Sequence, residues 1–256
     1  MGRVDGKVIV ITGAAGGQGA AEANALAAEG ATVVATDLQE PVVELAGGVT
    51  FRHHDVGSEE AWAALGSALR EEHGVVHGLV NNAGITWRER LMDVTVEDWE
   101  RVFRINVTGS LLGIQALVPL MTEGGSIVNV SSRAGVSGYH AIAYGTSKWA
   151  VRGLSRSASV ELGPRGIRVN TLLPGYIETA MTASAPDWFR EASLEEIPLG
   201  RLGTVRDIAP LMVFLMSDES SWISGCEFHV DGGEYGHAGV KRYSDLARAG
   251  GLNKPT

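Results

Sequence analysis

The sequence has a single cysteine, few basic residues and no long apolar run. One cysteine, Cys226, excludes a disulfide within the chain, and we expect it to be a small buried hydrophobic residue in a reducing compartment. The 21 Lys and Arg are outnumbered by 30 Asp and Glu, which gives a formal net charge of -9. Because nucleic acids and anionic membrane surfaces are bound largely through basic side chains, this balance argues against both as partners.

The sequence pattern also predicts neither a signal peptide nor a membrane-spanning segment. No uninterrupted apolar run approaches the roughly 20 residues of a membrane span, and residues 1–7 carry charges where a signal peptide needs an apolar core. We therefore expect a cytoplasmic protein. A length of 256 residues suits one α/β domain spanning residues 1–256 better than two small domains.

A glycine-rich turn stands between an apolar strand, residues 8–11, and an alanine-rich helix, residues 20–29. A dinucleotide pyrophosphate can rest on such a helix N-terminus, where side chains would hold the backbone amides away from it. The turn therefore predicts a dinucleotide cofactor, with contacts from Thr12, Gly13, Gly17, Gln18 and Gly19.

An acidic residue, Asp37, ends the second predicted strand. A carboxylate at this place can accept hydrogen bonds from the ribose hydroxyls of the cofactor, and its charge would repel a 2′-phosphate. Leu38 follows, with no Arg or Lys beside it or in the glycine turn. The pattern favours NAD over NADP.

Tyr144 and Lys148 lie four positions apart, which on a helix places both side chains on one face. A phenol has a reference pKa of about 10, and a nearby ammonium favours the phenolate. Ser131 and Ser132 follow the fifth predicted strand, at the end where ligands bind in open α/β sheets. The short intervening loop should bring hydroxyl and phenol together.

Residues 95–121 have a helical pattern, with Thr95 as the N-cap and Asn106 deep inside. Asparagine is unfavourable there unless its side chain has a function or the helix kinks. Adjacent His53 and His54 would point to opposite faces of a strand, so we expect no metal site from them.

Two segments in the second half have open interpretations. Residues 180–202, with Trp188 and Phe189, are predicted to be a lid over an apolar substrate, or alternatively a plain surface helix. Residues 234–256 form a polar tail that would fold over the site, contact a partner subunit or stay mobile.

With these residues in view, the sequence resembles the short-chain dehydrogenase/reductase family. The resemblance rests on six ordered motifs, matched by Thr12-Gly13 with Gly17 and Gly19, Asn81-Asn82-Ala83-Gly84, Asn106, Ser132, Tyr144 with Lys148, and Pro174-Gly175. It implies a single-domain Rossmann fold: a doubly wound, seven-stranded parallel sheet in the order 3-2-1-4-5-6-7 with helices on both faces. It also implies a homotetramer.

The resemblance implies roles for individual residues. Tyr144 would be the general acid/base, Ser132 would polarise the carbonyl, and Lys148 would bind the nicotinamide ribose and lower the pKa of the phenol. Asn106 would hold a relay water. The remaining cofactor contacts it implies are Asp55, Val56, Asn82, Ala83, Gly84, Pro174, Gly175, Ile177 and Thr179.

Two departures from the family pattern stand out. Many members have Ile where Gln18 stands, so contacts beneath the nicotinamide are expected to differ. The interval from Ser132 to Tyr144 is one residue shorter than in many relatives, which leaves Ser131 as the alternative catalytic serine. Tyr139 is set aside as the acid because Ala143, not a lysine, lies four positions beyond it.

The favoured hypothesis is an NAD-dependent oxidoreductase that transfers hydride between nicotinamide and a hydrophobic secondary alcohol or ketone, similar to bacterial hydroxysteroid dehydrogenases. A 3-oxoacyl thioester reductase shares every motif, although such enzymes usually take NADP. A dinucleotide-binding regulator without turnover is the alternative of another class; such proteins typically lack the Tyr or Lys, and this chain has both.

Overall fold

The computed structural model describes residues 2–250; residue 1 and residues 251–256, the end of the tail segment, lie outside it. Its seven strands form one sheet in the order β3-β2-β1-β4-β5-β6-β7, and every neighbouring pair is parallel. The strands are β1 (Val8–Thr12), β2 (Thr32–Asp37), β3 (Val49–His53), β4 (Gly78–Asn81), β5 (Gly125–Val130), β6 (Ile167–Pro174) and β7 (Glu227–Val230). The predicted fold class and strand order are confirmed.

The sheet is buried on both faces, as the apolar strands require. Side chains alternate along β1, so Ile9 and Ile11 belong to one core cluster and Val10 belongs to the other. Leu26 and Met212 cover the first face, while Trp62 covers the second. Full burial of one such side chain contributes about 1.5–3 kcal/mol, so the two clusters fix the layers of the fold.

The helices lie in the connections between strands, except for the last one, which follows β7. They are α1 (Gly17–Ala28), α2 (Glu59–Glu72), α3 (Val96–Phe103), α4 (Gly109–Leu117), α5 (Ile142–Leu162), α6 (Ala180–Ala183), α7 (Asp187–Glu196), α8 (Val205–Met216) and α9 (Lys241–Ala249). Predicted N-caps are confirmed: the side chain of Ser58 accepts a hydrogen bond from Ala61 N, and that of Thr95 accepts one from Asp98 N. Helix α1 begins at Gly17 rather than Ala20, because the glycine turn runs directly into it.

A π-helical turn, Arg104–Thr108, joins α3 to α4 and contains Asn106. The expected irregularity in this helix is therefore present, as a wide turn rather than a kink. The continuous segment Val96–Leu120 is long and apolar enough to cross a membrane by length and composition, which differs from our expectation that no stretch approaches that size. Within the domain it packs as a core helix, with Val102 and Leu117 fully buried.

Three sequence expectations differ from the structure. Cys226 is exposed, not buried, because it precedes β7, which pairs on one side only with β6 and forms the sheet edge. The third strand ends at His53 and not at Val56. In the tail segment, the part up to residue 250 contains α9, and Glu234 is only 5% exposed.

Candidate active site

The glycine turn and the end of β4 interlock through close backbone contacts. Gly13 has a φ of +70°, and a Cβ there would lie 2.7 Å from Ala83 Cα; a Cβ on Gly19 would lie 2.2 Å from Gly13 O. The Asn82 side chain donates to the carbonyls of Thr12 and Gly13 at 3.0 Å each, and Thr12 Oγ1 accepts from the Ala83 amide. Predicted cofactor residues from two strands therefore form one rigid unit.

The N-terminus of α1 is open to a ligand. Gly16, the N-cap, makes no side-chain capping bond, and Gly17 has a φ of +56°. A Cβ on Gly17 would meet only the Thr179 side chain, at 3.6 Å. First-turn amides without a capping side chain attract an anion, so this cradle fits the pyrophosphate of a dinucleotide.

Asp37, the last residue of β2, is fixed beside the glycine turn. Its carboxylate accepts hydrogen bonds from Ala15 N at 3.0 Å and from Gln39 N at 3.1 Å. Leu38 is 57% exposed next to it. Asp55 and Val56 lie in the turn after β3, where the Val56 carbonyl accepts a hydrogen bond from the Trp62 indole.

Tyr144 and Lys148 lie on the same face of α5, as the spacing predicts. Tyr144 is half-buried and lines a cleft together with Ser132. Lys148 is 4% exposed; its Nζ donates to the Val130 carbonyl at 2.9 Å and lies 5.8 Å from the centroid of the Tyr144 ring. A Cβ on Gly84 would approach that Nζ to 3.2 Å, so the end of β4 closes around the ammonium.

Burial is the main cause of the pKa shifts of both Tyr144 and Lys148. Burial raises the pKa of the Tyr144 phenol, and its hydrogen-bond partner Ser132 acts in the opposite direction. Lys148, expected to lower the pKa of the phenol, is itself buried. Its own pKa is lowered by burial to about 8.

The structure separates the two candidate serines. The Ser131 hydroxyl is buried and donates to the backbone carbonyl of Lys148 at 2.8 Å. Ser132 lines the cleft beside Tyr144, and its hydroxyl accepts a hydrogen bond from Ala134 N at 3.1 Å. Ser132 is therefore the serine that faces Tyr144, whereas Ser131 anchors α5 to the end of β5.

Asn106 ties three segments together. Its Nδ2 donates to the Ile85 carbonyl at 3.0 Å and to Ser147 Oγ at 2.9 Å, and its Oδ1 accepts from Ile85 N at 2.8 Å. Both N–H groups of the side chain are therefore used by protein groups, and its oxygen accepts one hydrogen bond. Asn106 positions α5 and the loop after β4.

The turn after β6 also lines the cleft. Gly175 lines the cleft, and a Cβ there would lie 2.7 Å from Asp231 Cα, so Pro174-Gly175 is held close to the end of β7. Ile177 is buried, and Thr179 caps α6 through a reciprocal pair of hydrogen bonds with Thr182. The structure therefore brings four residues of the predicted cofactor contacts, Pro174, Gly175, Ile177 and Thr179, into one turn beside the cleft.

Gln18 is directed along α1. Its Nε2 donates to the Glu22 carboxylate at 2.9 Å. Glu22 is completely buried, and burial raises its pKa to about 8. Sequence reasoning missed this pair, although the spacing of four residues on a helix is a readable signal.

The residues of the predicted lid, 180–202, have different environments: some line the cleft, some are exposed and some are buried. Met181 and Phe189 line the cleft, Trp188 is 64% exposed, and Ile197 is buried in the domain. Sequence reasoning missed Arg88 and Arg133, which also line the cleft. Their charges lie in segments that resemble ordinary solvated loops, so the sequence pattern does not distinguish them.

Comparisons with known proteins identify relatives over most of this chain. The family described as Enoyl-(Acyl carrier protein) reductase matches residues 13–234. The chain is 42% identical over 248 residues to trans-4-hydroxycyclohexanecarboxylate dehydrogenase of Sinomonas cyclohexanicum, covering 91% of this chain and 94% of that protein. It is 42% identical over 240 residues to 3-alpha-(or 20-beta)-hydroxysteroid dehydrogenase of Mycobacterium tuberculosis, covering 91% and 90%.

A third relative has a different printed activity. The 3-oxoacyl-(acyl-carrier-protein) reductase FabG of Thermotoga maritima is 39% identical over 242 residues, covering 90% of this chain and 98% of that protein. Dehydrogenases and reductases of this kind act on alcohol and carbonyl groups with a nicotinamide dinucleotide. The chain therefore belongs to the short-chain dehydrogenase/reductase family and is an oxidoreductase that acts on alcohols.

Proposed function

We propose that the protein is an NAD-dependent dehydrogenase of hydrophobic secondary alcohols. The observation that carries this proposal is the convergence of Tyr144, Ser132 and Lys148 at one cleft beside the glycine turn. These groups come from α5 and from the end of β5, and the Ser132 and Lys148 side chains are held there by backbone hydrogen bonds.

Tyr144 is proposed to exchange the proton of the substrate oxygen. In alcohol oxidation the carbinol C–H bond breaks with its electron pair as hydride, the C=O bond forms, and the hydroxyl proton passes to the phenolate form of Tyr144, which becomes the neutral phenol. When bound, NAD supplies the acceptor for the hydride. Ser132 orients the substrate oxygen by a hydrogen bond, and Lys148 is placed to hold a ribose hydroxyl beside the phenol.

Preference for NAD is proposed from Asp37. Its carboxylate is held beside the glycine turn by two backbone amides, so it is placed to accept from ribose hydroxyls and to repel a 2′-phosphate. The exposed neighbour, Leu38, offers no positive charge. Gly17, where a Cβ would meet only the Thr179 side chain at 3.6 Å, is proposed to admit close approach of the cofactor.

A cyclic alcohol is the proposed substrate class. The cleft has aromatic and aliphatic walls from Tyr139, Tyr176, Met181 and Phe189. Two relatives are dehydrogenases named for a hydroxycyclohexane acid and for hydroxysteroids. Residues 180–202 are proposed to cover the substrate as a lid.

We also propose a cytoplasmic homotetramer. Trp149 and Val160 on α5, and Trp222 before β7, are 48%, 79% and 98% exposed in the single chain. Exposed large apolar side chains on neighbouring elements fit subunit contacts. Light scattering on the purified protein tests the subunit number.

The second candidate is a 3-oxoacyl thioester reductase, which the FabG relative favours. A panel of cyclohexanol, a hydroxysteroid and a 3-oxoacyl thioester, each with NAD(H) and NADP(H), separates the two. We expect kcat/KM to be highest for a cyclic alcohol with NAD. Turnover of the thioester alone with NADPH would favour the reductase, and no turnover of any compound would contradict both.

A further inference from the structure

Two arginine side chains line the substrate cleft of a protein that is acidic overall. Arg88 and Arg133 both line the cleft with Ser132 and Tyr144, in a chain of formal net charge -9. Both guanidinium charges also lower the pKa of Tyr139 against the larger effect of burial, so both lie within electrostatic range of that phenol. Positive charge is therefore concentrated at the substrate end of the site.

One of the two charges already has a partner. Arg133 Nη1 lies 2.6 Å from Oε1 of Glu234, whose side chain is 3% exposed. The contact is ionic, without an aligned hydrogen bond to the carboxylate. Arg133 also lies 6.0 Å from the Tyr139 ring centroid. Its charge is thus balanced within the protein.

Arg88 has no such balance. Within residues 2–250, no carboxylate lies within ion-pair distance of its guanidinium. Its Nη2 donates to the Met181 carbonyl at 3.3 Å and to Ser184 Oγ at 3.0 Å, so Arg88 joins the loop after β4 to α6. The group therefore stands at the lid side of the cleft with neutral partners and spare donors.

We infer that Arg88 binds a carboxylate of the substrate, so that the preferred substrate is a cyclic secondary alcohol that carries an acid group away from the carbinol. This inference rests on the proposed function, because the carbinol is taken to lie at Ser132 and Tyr144. Both N–H groups of Arg88 Nη2 are used by Met181 and Ser184, so a carboxylate would be bound by a charge-assisted hydrogen bond from Nη1 or Nε. The apolar walls would hold the ring between the two polar ends.

The cofactor pyrophosphate is the other source of negative charge near the site. The open N-terminus of α1 is the place built for it, whereas Arg88 contacts α6 and lines the substrate cleft. We therefore favour a substrate carboxylate as the anion that Arg88 binds. The experiment below measures cofactor binding separately.

The test compares Arg88→Gln with Arg90→Gln, a matched control in the same exposed loop that does not line the cleft. The substrates are 4-hydroxycyclohexanecarboxylate and its carboxamide, which differ in charge and little in shape. We expect Arg88→Gln to reduce the carboxylate-to-carboxamide ratio of kcat/KM by about 10- to 100-fold, as for loss of a charged hydrogen-bond pair. Arg90→Gln should leave this ratio unchanged, and the Kd of NADH should stay within about threefold in both variants.

Three results would overturn the inference. The first is an unchanged ratio in Arg88→Gln, which includes an equal loss of kcat/KM for both compounds. The second is a raised Kd for NADH that accounts for the loss, and the third is a calorimetric result. If neither alcohol is turned over, the proposed function fails, and titration calorimetry with cyclohexanecarboxylate and cyclohexanecarboxamide still decides. Preferential binding of the carboxylate that Arg88→Gln abolishes supports the inference, and equal binding of both compounds contradicts it.

Discussion

The Ser131 hydroxyl donates to the backbone carbonyl of Lys148 at 2.8 Å, and this bond joins the end of β5 to α5. The neighbouring Ser132 faces the cleft instead. Two adjacent serines therefore have separate tasks, because successive residues of an extended chain point to opposite sides.

Replacing each serine in turn should separate these tasks. We expect Ser132→Ala to lower kcat by about 100-fold or more, as for removal of one preorganised hydrogen-bond donor, with little change in thermal stability. Ser131→Ala should lower the free energy of unfolding by about 1 kcal/mol and leave most of kcat. Steady-state kinetics and thermal unfolding measure both effects. The opposite pattern would transfer the catalytic assignment to Ser131.

Tyr144→Phe removes the phenolic proton and leaves the ring in place. Turnover should fall by about 10²- to 10⁴-fold, the usual contribution of a positioned acid or base. The Kd of NADH, measured by fluorescence, should change little. Tyr243→Phe, at a 73% exposed position on α9, is the control. Turnover near the wild-type rate in Tyr144→Phe would place the proton route elsewhere.

Asp37→Asn removes the charge and keeps one side-chain oxygen, which can accept from one of the two backbone amides, Ala15 N or Gln39 N. The ratio of kcat/KM for NADP over NAD should rise by about tenfold, since a repulsive contact with the 2′-phosphate is lost. Kinetics with both cofactors at one ionic strength measure it. An unchanged ratio would show that the carboxylate does not choose between the two cofactors.

Glu22 should make stability depend on pH. Burial raises its pKa to about 8 from an ordinary value of 4.5, so its contribution is full below pH 4.5 and is lost as pH rises through 8. Glu22→Gln should remove this loss and raise the free energy of unfolding at pH 9 by on the order of 2 kcal/mol.

Urea unfolding at pH 6 and pH 9 measures the effect of Glu22. Glu71→Gln, at an exposed position of α2, serves as the control and should show the wild-type dependence. If wild type and Glu22→Gln lose the same stability between the two pH values, another group carries the dependence.

The layers of this fold could be predicted because each signal was local. Buried β-branched strands, the glycine turn and the caps at Ser58 and Thr95 all lie within a few residues of the structure that they specify. The positions of Tyr144, Lys148 and Ser132 followed from spacing combined with the rule that ligands bind at the carboxyl ends of parallel strands.

What could not be predicted depends on contacts between distant segments. Arg133 and Glu234 are far apart in sequence, and nothing local indicates that they meet. The exposure of Cys226 follows from β7 lying at the sheet edge, which the sequence around the cysteine does not reveal. The partners of the Asn106 side chain, Ile85 and Ser147, lie in two other elements, and its own segment does not indicate them.

The π turn at Arg104–Thr108 holds one residue more than an α-helical turn would use. A deletion of a single amino acid inside it would let the backbone relax to ordinary α geometry, and the apolar stripes of α3 and α4 would keep their phase. Such a shortened chain should fold, yet Asn106 would no longer reach Ile85 and Ser147 together. The extra residue therefore orients the side-chain amide of Asn106, and its deletion should leave the overall fold unchanged.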